Sequence, residues 1–201
     1  MEAASPPVAT AAADYPVRFD VEYPERLSRW KIFVKWLLAI PHFIIVALLQ
    51  TVGGVLVLIA FFSILFTKKW PRGLFDFTLQ IERWTMNTVA YALTLQRDEY
   101  PPFSGEPGEY PVRLEVDYDD NLSRWMIFVK WLLILPHLIV LVFLAIAAYV
   151  VVFIAFFVIL FTGRFPRGMF DFVTGVLRWS IRVNAYAHWL MTDRYPPFSL
   201  K

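Results

Sequence analysis

The stretch Phe43-Ile-Ile-Val-Ala-Leu-Leu-Gln-Thr-Val-Gly-Gly-Val-Leu-Val-Leu-Ile-Ala-Phe-Phe62 lies at the centre of an apolar run that begins at Trp36 and ends at Phe66. His42 is the only ionisable residue within this run. A single membrane crossing needs about 20 residues, and the run is longer than that. The sequence therefore predicts a membrane-inserted segment that either folds back on itself or tilts strongly.

A matching run extends from Trp131 to Phe161, because the chain contains two tandem copies of one sequence, aligned without a gap. Tyr15 begins the first copy and Tyr110 the second, 95 positions later, and about half of the paired positions are identical. Self-similarity of this kind predicts two copies of one structural unit. Two units this similar should present their polar motifs to the same side of a membrane.

The repeat divides the chain into four segments. We expect a disordered Ala/Pro-rich tail at 1–14, a first unit at 15–105, a linker at 106–109 and a second unit at 110–201.

Composition favours an integral membrane protein. Hydrophobic residues make up 58% of the 201 residues and aromatic residues 18%, whereas a soluble domain is about half apolar. The net charge of +2 is too small to indicate nucleic-acid binding, and the basic residues flank the apolar runs. The chain has no cysteine, which excludes disulfides and thiolate metal sites.

Basic residues lie on both sides of each apolar run, which under the positive-inside rule places both ends in the cytoplasm. This favours a membrane helical hairpin in each unit, with its first arm beginning near Trp30 and its turn near Gln50 to Gly54. The alternative is an in-plane amphipathic helix over residues 26–40, broken by Pro41. Residues 43–66 would then cross once.

The remainder of each unit is predicted to be polar and interfacial. Residues 15–23 alternate apolar and charged side chains, as do 112–118, and this pattern predicts two short strands that pair with each other or pack on a helix. A third, amphipathic helix is predicted from about Leu79 to Leu95 and again from Gly175 to Met191. The predicted fold is an all-α integral membrane protein with small β-strands, built as a tandem pseudo-two-fold repeat of a membrane hairpin plus an interfacial helix.

Four motifs carry a resemblance to a known family. They are Tyr-Pro-Val-Arg-Phe-Asp-Val-Glu-Tyr-Pro-Glu-Arg-Leu-Ser-Arg-Trp at 15–30, Phe-Val-Lys-Trp-Leu-Leu-Ala-Ile-Pro-His at 33–42, Pro-Arg-Gly-Leu-Phe-Asp-Phe at 71–77 and Tyr-Pro-Pro-Phe at 100–103. Together they resemble a family of bacterial membrane proteins catalogued as domain of unknown function 4389. The resemblance implies membrane embedding and tandem copies, and it brings no activity, cofactor or catalytic residue.

His42 and His137 are the candidate cofactor-binding residues. An ionisable side chain inside an apolar run is a functional hypothesis, and the hairpin would place both near mid-membrane. A pseudo-two-fold could bring the two imidazoles together as axial ligands of a haem, or along a polar path. In the structural interpretation, each imidazole hydrogen-bonds backbone groups that the preceding proline frees.

The basic residues beside tryptophans are predicted to contact lipid headgroups and to set the topology. Asp76 and Asp171 are predicted to cap the third helix or to pair with Arg72 and Arg167. The predicted headgroup contacts are Arg26, Arg29, Lys31, Lys35, Lys68, Lys69, Arg72, Arg124, Lys130, Arg164 and Arg167.

These patterns predict a non-enzymatic, multi-pass protein of the bacterial inner membrane, with its polar motifs facing the cytoplasm. Its role would be that of a scaffold or accessory subunit, with lipids and other membrane subunits or a second copy as partners. The alternative is a small transporter or channel, or a haem-binding redox subunit, that uses His42 and His137.

Overall fold

The computed structural model describes residues 15–201, and the tail predicted at 1–14 lies outside the described residues. Most of the described chain is helical. The elements are β1 Val17–Val21, α1 Lys31–Leu38, α2 Ile40–Thr67, α3 Arg72–Thr88, a π-helical turn Val89–Leu93, β2 Val112–Val116, α4 Met126–Leu133, α5 Leu135–Thr162, α6 Arg167–Val183 and a second π-helical turn Asn184–His188.

The apolar run of each unit forms a long helix with no turn in it. Helix α2 has 28 residues and continues through Gln50 to Gly54, so the predicted hairpin is wrong. Adjacent glycines weaken a helix by only about 1 kcal/mol each, and packing overrides that cost here. A Cβ on Gly53 would lie 2.6 Å from Cη2 of Trp189, so this glycine makes room for a ring of the other unit.

The break between α1 and α2 agrees with the alternative prediction. It falls at Ala39, just before Pro41, whose missing N–H cannot continue the hydrogen-bond ladder. Tyr100 donates its hydroxyl to the Leu38 carbonyl at 3.1 Å and so satisfies a carbonyl at the bend.

The third helix begins earlier than predicted. Helix α3 starts at Arg72, directly after Pro71, so Arg72 and Gly73 of the Pro-Arg-Gly motif lie in the first turn of the helix. Proline is favoured at a helix start because its fixed φ suits that position. Helix α3 runs back along α2, as the contacts of Trp84 with His42 and of Glu82 with Gln50 show.

The prediction that the strands pair with each other is confirmed. β1 and β2 are antiparallel, and the register sets Phe19 opposite Leu114, its own counterpart in the other unit. Each strand also packs on the third helix of the opposite unit. Arg178 of α6 donates to the Phe19 carbonyl at 2.7 Å, and Arg83 of α3 donates to the Leu114 carbonyl at 2.9 Å.

The elements form three layers. The strands contact α3 and α6, and these helices contact α2 and α5. The core lies between the layers and includes Ala60, Ile64, Ala155 and Ile159, none of which has measurable exposure. Helices α2 and α5 are long and apolar enough to cross a membrane, by length and composition alone.

Candidate functional site

Each candidate histidine is enclosed by aromatic rings of its own unit. His42 lies in the first turn of α2 and is fully buried. Its Nδ1 accepts a hydrogen bond from Trp84 Nε1 at 2.9 Å, and Phe103 stacks on the ring with centroids 4.2 Å apart. The acceptor role of Nδ1 assigns the proton of the neutral imidazole to Nε2.

The second copy has the same arrangement. His137 Nδ1 accepts from Trp179 Nε1 at 2.9 Å, and Phe198 stacks on it at 3.8 Å. The structure therefore does not bring the two histidines together, since each has its own tryptophan and phenylalanine.

A haem held between the two imidazoles does not fit this geometry. In each site one ring nitrogen is occupied by an indole N–H, and the other nitrogen, Nε2, is buried and has no hydrogen-bond partner among residues 15–201. Axial ligation needs an imidazole nitrogen that faces open space for a macrocycle. Phe103 and Phe198 instead cover one face of each ring.

A buried ion pair locks the short helix α1 to the end of its unit. Lys35 is fully buried, and its Nζ lies 2.7 Å from Asp98 Oδ1 and 2.6 Å from the Arg97 carbonyl. The other carboxylate oxygen of Asp98 accepts from the Ser28 amide just before α1. Burial lowers the pKa of Lys35, and the Asp98 carboxylate opposes that shift.

Lys130 repeats the lock, with Nζ 2.8 Å from Asp193 Oδ1 and 2.7 Å from the Thr192 carbonyl. The prediction that Lys35 and Lys130 contact lipid headgroups is wrong, because both ammonium groups are buried inside the protein. Sequence reasoning missed Asp98 and Asp193. Their signal was present, since the Asp-x-Tyr-Pro-Pro-Phe motif closes both units.

The other basic residues of the predicted set are exposed. Two of them are paired as predicted, Arg72 with Asp76 at 3.2 Å and Arg167 with Asp171 at 3.3 Å, each one helical turn apart. Neither aspartate caps its helix, because both lie inside it. The exposed set is Arg26, Arg29, Lys31, Lys68, Lys69, Arg72, Arg124, Arg164 and Arg167.

Two basic cavities lie at the contact between the units. In one, the segment before α1 meets the end of α5, and in the other, the segment before α4 meets the end of α2. The first, of about 420 Å³, is lined by Arg26, Leu27, Arg29, Thr162, Gly163 and Arg164. The second, of about 370 Å³, is lined by Lys68, Asn121, Leu122, Ser123, Arg124 and Trp125.

One polar cluster occurs in the first unit alone. Gln50 on α2 donates at 3.0 Å to both Glu82 and Thr85 on α3. Burial raises the pKa of Glu82, and hydrogen bonds from Gln50 and Trp189 oppose the shift. The corresponding positions of the second unit are Ala145, Leu177 and Ser180.

An exposed apolar surface lies opposite the strands. It is formed by the outward sides of α1, α2, α4 and α5, and we call it the apolar face. Its most exposed rings are Trp30 and Trp125, each 81% exposed, followed by Tyr149, Phe161 and Phe66. Contiguous apolar surface of this extent marks an interaction with a membrane or a protein.

Comparison with known families gives one match, found twice. The sequence model of a domain of unknown function, DUF4389, matches residues 29–105 and residues 124–199, which together make up most of the chain. This confirms the predicted resemblance and the two tandem copies. No curated protein and no solved structure matches the chain.

Proposed function

We propose that this chain, which belongs to the DUF4389 family, is a non-enzymatic membrane scaffold or accessory subunit of the bacterial plasma membrane. The observation that carries the proposal is the opposition of two faces. The apolar face lies in lipid, and the two-stranded sheet presents Arg18, Asp20, Arg113 and Glu115 to water, all four of them exposed.

The layered packing favours long helices that lie along one leaflet. β1 follows α6 from one end to the other: Tyr23 donates to the Phe165 carbonyl at 2.6 Å before α6 begins, and the Tyr15 ring lies 5.6 Å from the Arg182 guanidinium near its end. Helix α6 in turn runs along α5, where Trp179 reaches His137. The strand, α6 and α5 therefore lie side by side with their long axes roughly aligned.

Because β1 lies alongside α5, a membrane-spanning orientation of α5 would be energetically costly. If α5 stood across the bilayer, the charged side of β1 would stand in hydrocarbon beside it, and each charge costs about 2.5–3.5 kcal/mol at the centre of a membrane helix. With α2 and α5 lying along the leaflet, the strand charges face water. We propose this arrangement in place of the multi-pass topology expected from the length of the apolar runs.

The sheet register supports a pseudo-two-fold axis along the membrane normal. Phe19 opposite Leu114 is the pairing that a rotation exchanging the two units requires. Both units then face the same way, and the exposed basic residues at the rim favour a cytoplasmic location for the polar side.

A scaffold role is consistent with the structural contacts that the ionisable side chains make. Lys35, Asp98 and His42, and their counterparts in the second unit, form contacts that hold each unit together. The side chains left facing water are the mixed charges of the sheet, which suit recognition of another protein.

Single-cysteine labelling tests the membrane arrangement, and the chain is suited to it because it has no native cysteine. Glu99 is exposed beside the start of α2, and Lys69 is exposed just after its end. With Glu99→Cys and Lys69→Cys in intact and inverted vesicles, we expect an impermeant maleimide to label both from the cytoplasmic side. Labelling from opposite sides would contradict the in-leaflet arrangement.

Thr51→Cys and Ile146→Cys complete this test. Both positions lie on exposed parts of the long helices, and we expect neither to be labelled from either side. A hairpin with its turn at this point would label both from the far side.

Photocrosslinking tests the scaffold role. A photoreactive residue at Arg113, on the charged side of the sheet, should crosslink to a discrete protein in cells, whereas one at Thr51 should crosslink to lipid. The scaffold proposal would be overturned if the photoreactive residue at Arg113 crosslinked to no other protein and the chain purified in native lipid only as a monomer.

A further inference from the structure

We propose that the cavity formed by Arg26, Arg29 and Arg164 binds the phosphate of an anionic phospholipid headgroup. The inference rests on the proposed membrane embedding and names the lipid chemistry that the protein selects. The site is built at the contact between the two units, so it exists only in the two-unit chain.

The backbone fixes the site. The Leu27 amide donates to the Gly163 carbonyl at 2.9 Å, which joins the segment before α1 to the end of α5. Gly163 ends α5 in the left-handed region with φ of 69°. A Cβ at Gly163 would lie 3.5 Å from Arg29 Nε and 3.3 Å from the Leu27 carbonyl oxygen, so glycine leaves the space beside the guanidinium open.

The charges of this cavity are uncompensated. The cavity lining contains three guanidinium groups and no carboxylate. Within residues 15–201, no carboxylate lies in ion-pair range of Arg26, Arg29 or Arg164. By contrast, Arg18 pairs with Glu115 and Asp117, Arg72 with Asp76, and Arg167 with Asp171. The planar guanidinium fork matches phosphate oxygens better than an ammonium does, because it offers paired N–H donors.

The counterpart cavity lacks these features. Asn121 takes the position of Arg26, and Lys68 takes the position of Gly163. The Arg124 guanidinium donates to the Phe66 carbonyl at 2.9 Å, so it is held by the backbone. Asp119 adds a negative charge where the first unit has Pro24, whereas Asp120 has an acidic counterpart in Glu25. One of the two related cavities is therefore suited to a phosphate and the other is not.

The position of the site indicates a lipid and not a free phosphate. Trp30 follows Arg29 with 81% of its surface exposed, and Phe161 precedes the cavity residue Thr162 with 73% exposed. Both rings belong to the apolar face. A phosphate held by the arginines would thus have its acyl chains beside exposed aromatic rings, at the depth where basic pockets meet headgroups.

Binding of short-chain lipids to the full chain in uncharged detergent tests the proposal. The probes are dihexanoyl phosphatidylglycerol, dihexanoyl phosphatidylcholine and inorganic phosphate, titrated by calorimetry. We expect phosphatidylglycerol to bind at least about tenfold more tightly than either of the others, and Arg29→Gln to weaken it by about tenfold, as for loss of one charge-assisted contact.

The repeat supplies matched variants. Arg124→Gln, at the counterpart of Arg29, should change the affinity by less than about twofold. Arg26→Asn, which gives the first cavity the residue of the second, should weaken binding like Arg29→Gln. A melting temperature equal to that of the wild type is the control that the variant is folded. Equal effects of Arg29→Gln and Arg124→Gln, or equal binding of phosphatidylcholine, would overturn the site.

Inorganic phosphate that binds as tightly as phosphatidylglycerol would overturn the lipid assignment. Flotation with vesicles of pure phosphatidylcholine measures membrane embedding separately. The wild type and Arg29→Gln should float equally well, so a failure of embedding is distinguishable from a failure of the phosphate site.

Discussion

The two units keep one set of contacts and change another, and the difference shows which contacts the duplicated fold has in common. The Lys–Asp lock and the Trp–His hydrogen bond occur in both units with distances that agree within 0.1 Å. The Gln50–Glu82 contact and the Gly53–Trp189 packing occur once. The Lys–Asp lock and the Trp–His hydrogen bond stay within a unit, whereas the packing of Trp189 on Gly53 joins the two.

The largest effect is expected from breaking the repeated lock. Lys35→Met leaves Asp98 partly buried without its cation and should lower the free energy of unfolding by about 3–5 kcal/mol. Lys130→Met should cost about the same, because it repeats the contact. Unfolding in detergent followed by circular dichroism measures both, with the exposed Lys31→Met as the control; a difference of more than about 2 kcal/mol between the copies would contradict equivalence.

The next effect concerns the repeated histidine site. His42→Ala removes the acceptor of the Trp84 N–H and should cost about 1–3 kcal/mol. His137→Ala should match it, and His188→Ala, at an exposed position, should change the stability by less than about 0.5 kcal/mol. A loss confined to one of the two buried positions would show that the sites differ in role.

Adjacent glycines of α2 should respond with opposite signs. Gly53→Ala forces the buried Trp189 ring to move and should cost about 1–3 kcal/mol. Gly54→Ala meets no atom within 4 Å and should gain up to about 1 kcal/mol from helix propensity. Thermal unfolding of the two variants side by side measures this, and equal shifts would remove the proposed packing reason for Gly53.

The smallest effect is a change of slope with pH at the unit-specific cluster. The pKa of Glu82 is raised by burial, so the folded state favours the protonated form, and stability is lost as the pH rises through the raised value. Glu82→Gln keeps the hydrogen bonds and removes the titration. Its melting temperature should fall less than that of the wild type between pH 5 and pH 9, and parallel curves would contradict a buried carboxyl group.

The repeat, the paired strands, the break at Pro41 and the Arg72–Asp76 pair were all predictable, because each depends on neighbours in sequence or on the fixed offset between the copies. The unbroken course of α2 was not predictable, because Gly53 is required by its packing against Trp189, which is far away in the chain. Lys35 was misassigned for the same reason: a lysine among tryptophans is typical of a membrane interface, and its partner Asp98 lies at the other end of the unit.

The strand register has a further consequence. Because Phe19 faces its own duplicate, a polypeptide carrying one copy alone would expose an unpaired edge whose natural complement is an identical edge. Such a half-length chain would dimerise through the interface that the full chain closes within itself. Joining the copies makes that encounter independent of protein concentration. It also leaves the two halves free to diverge, as the first cavity and its counterpart, which has Asn121 in place of Arg26, have done.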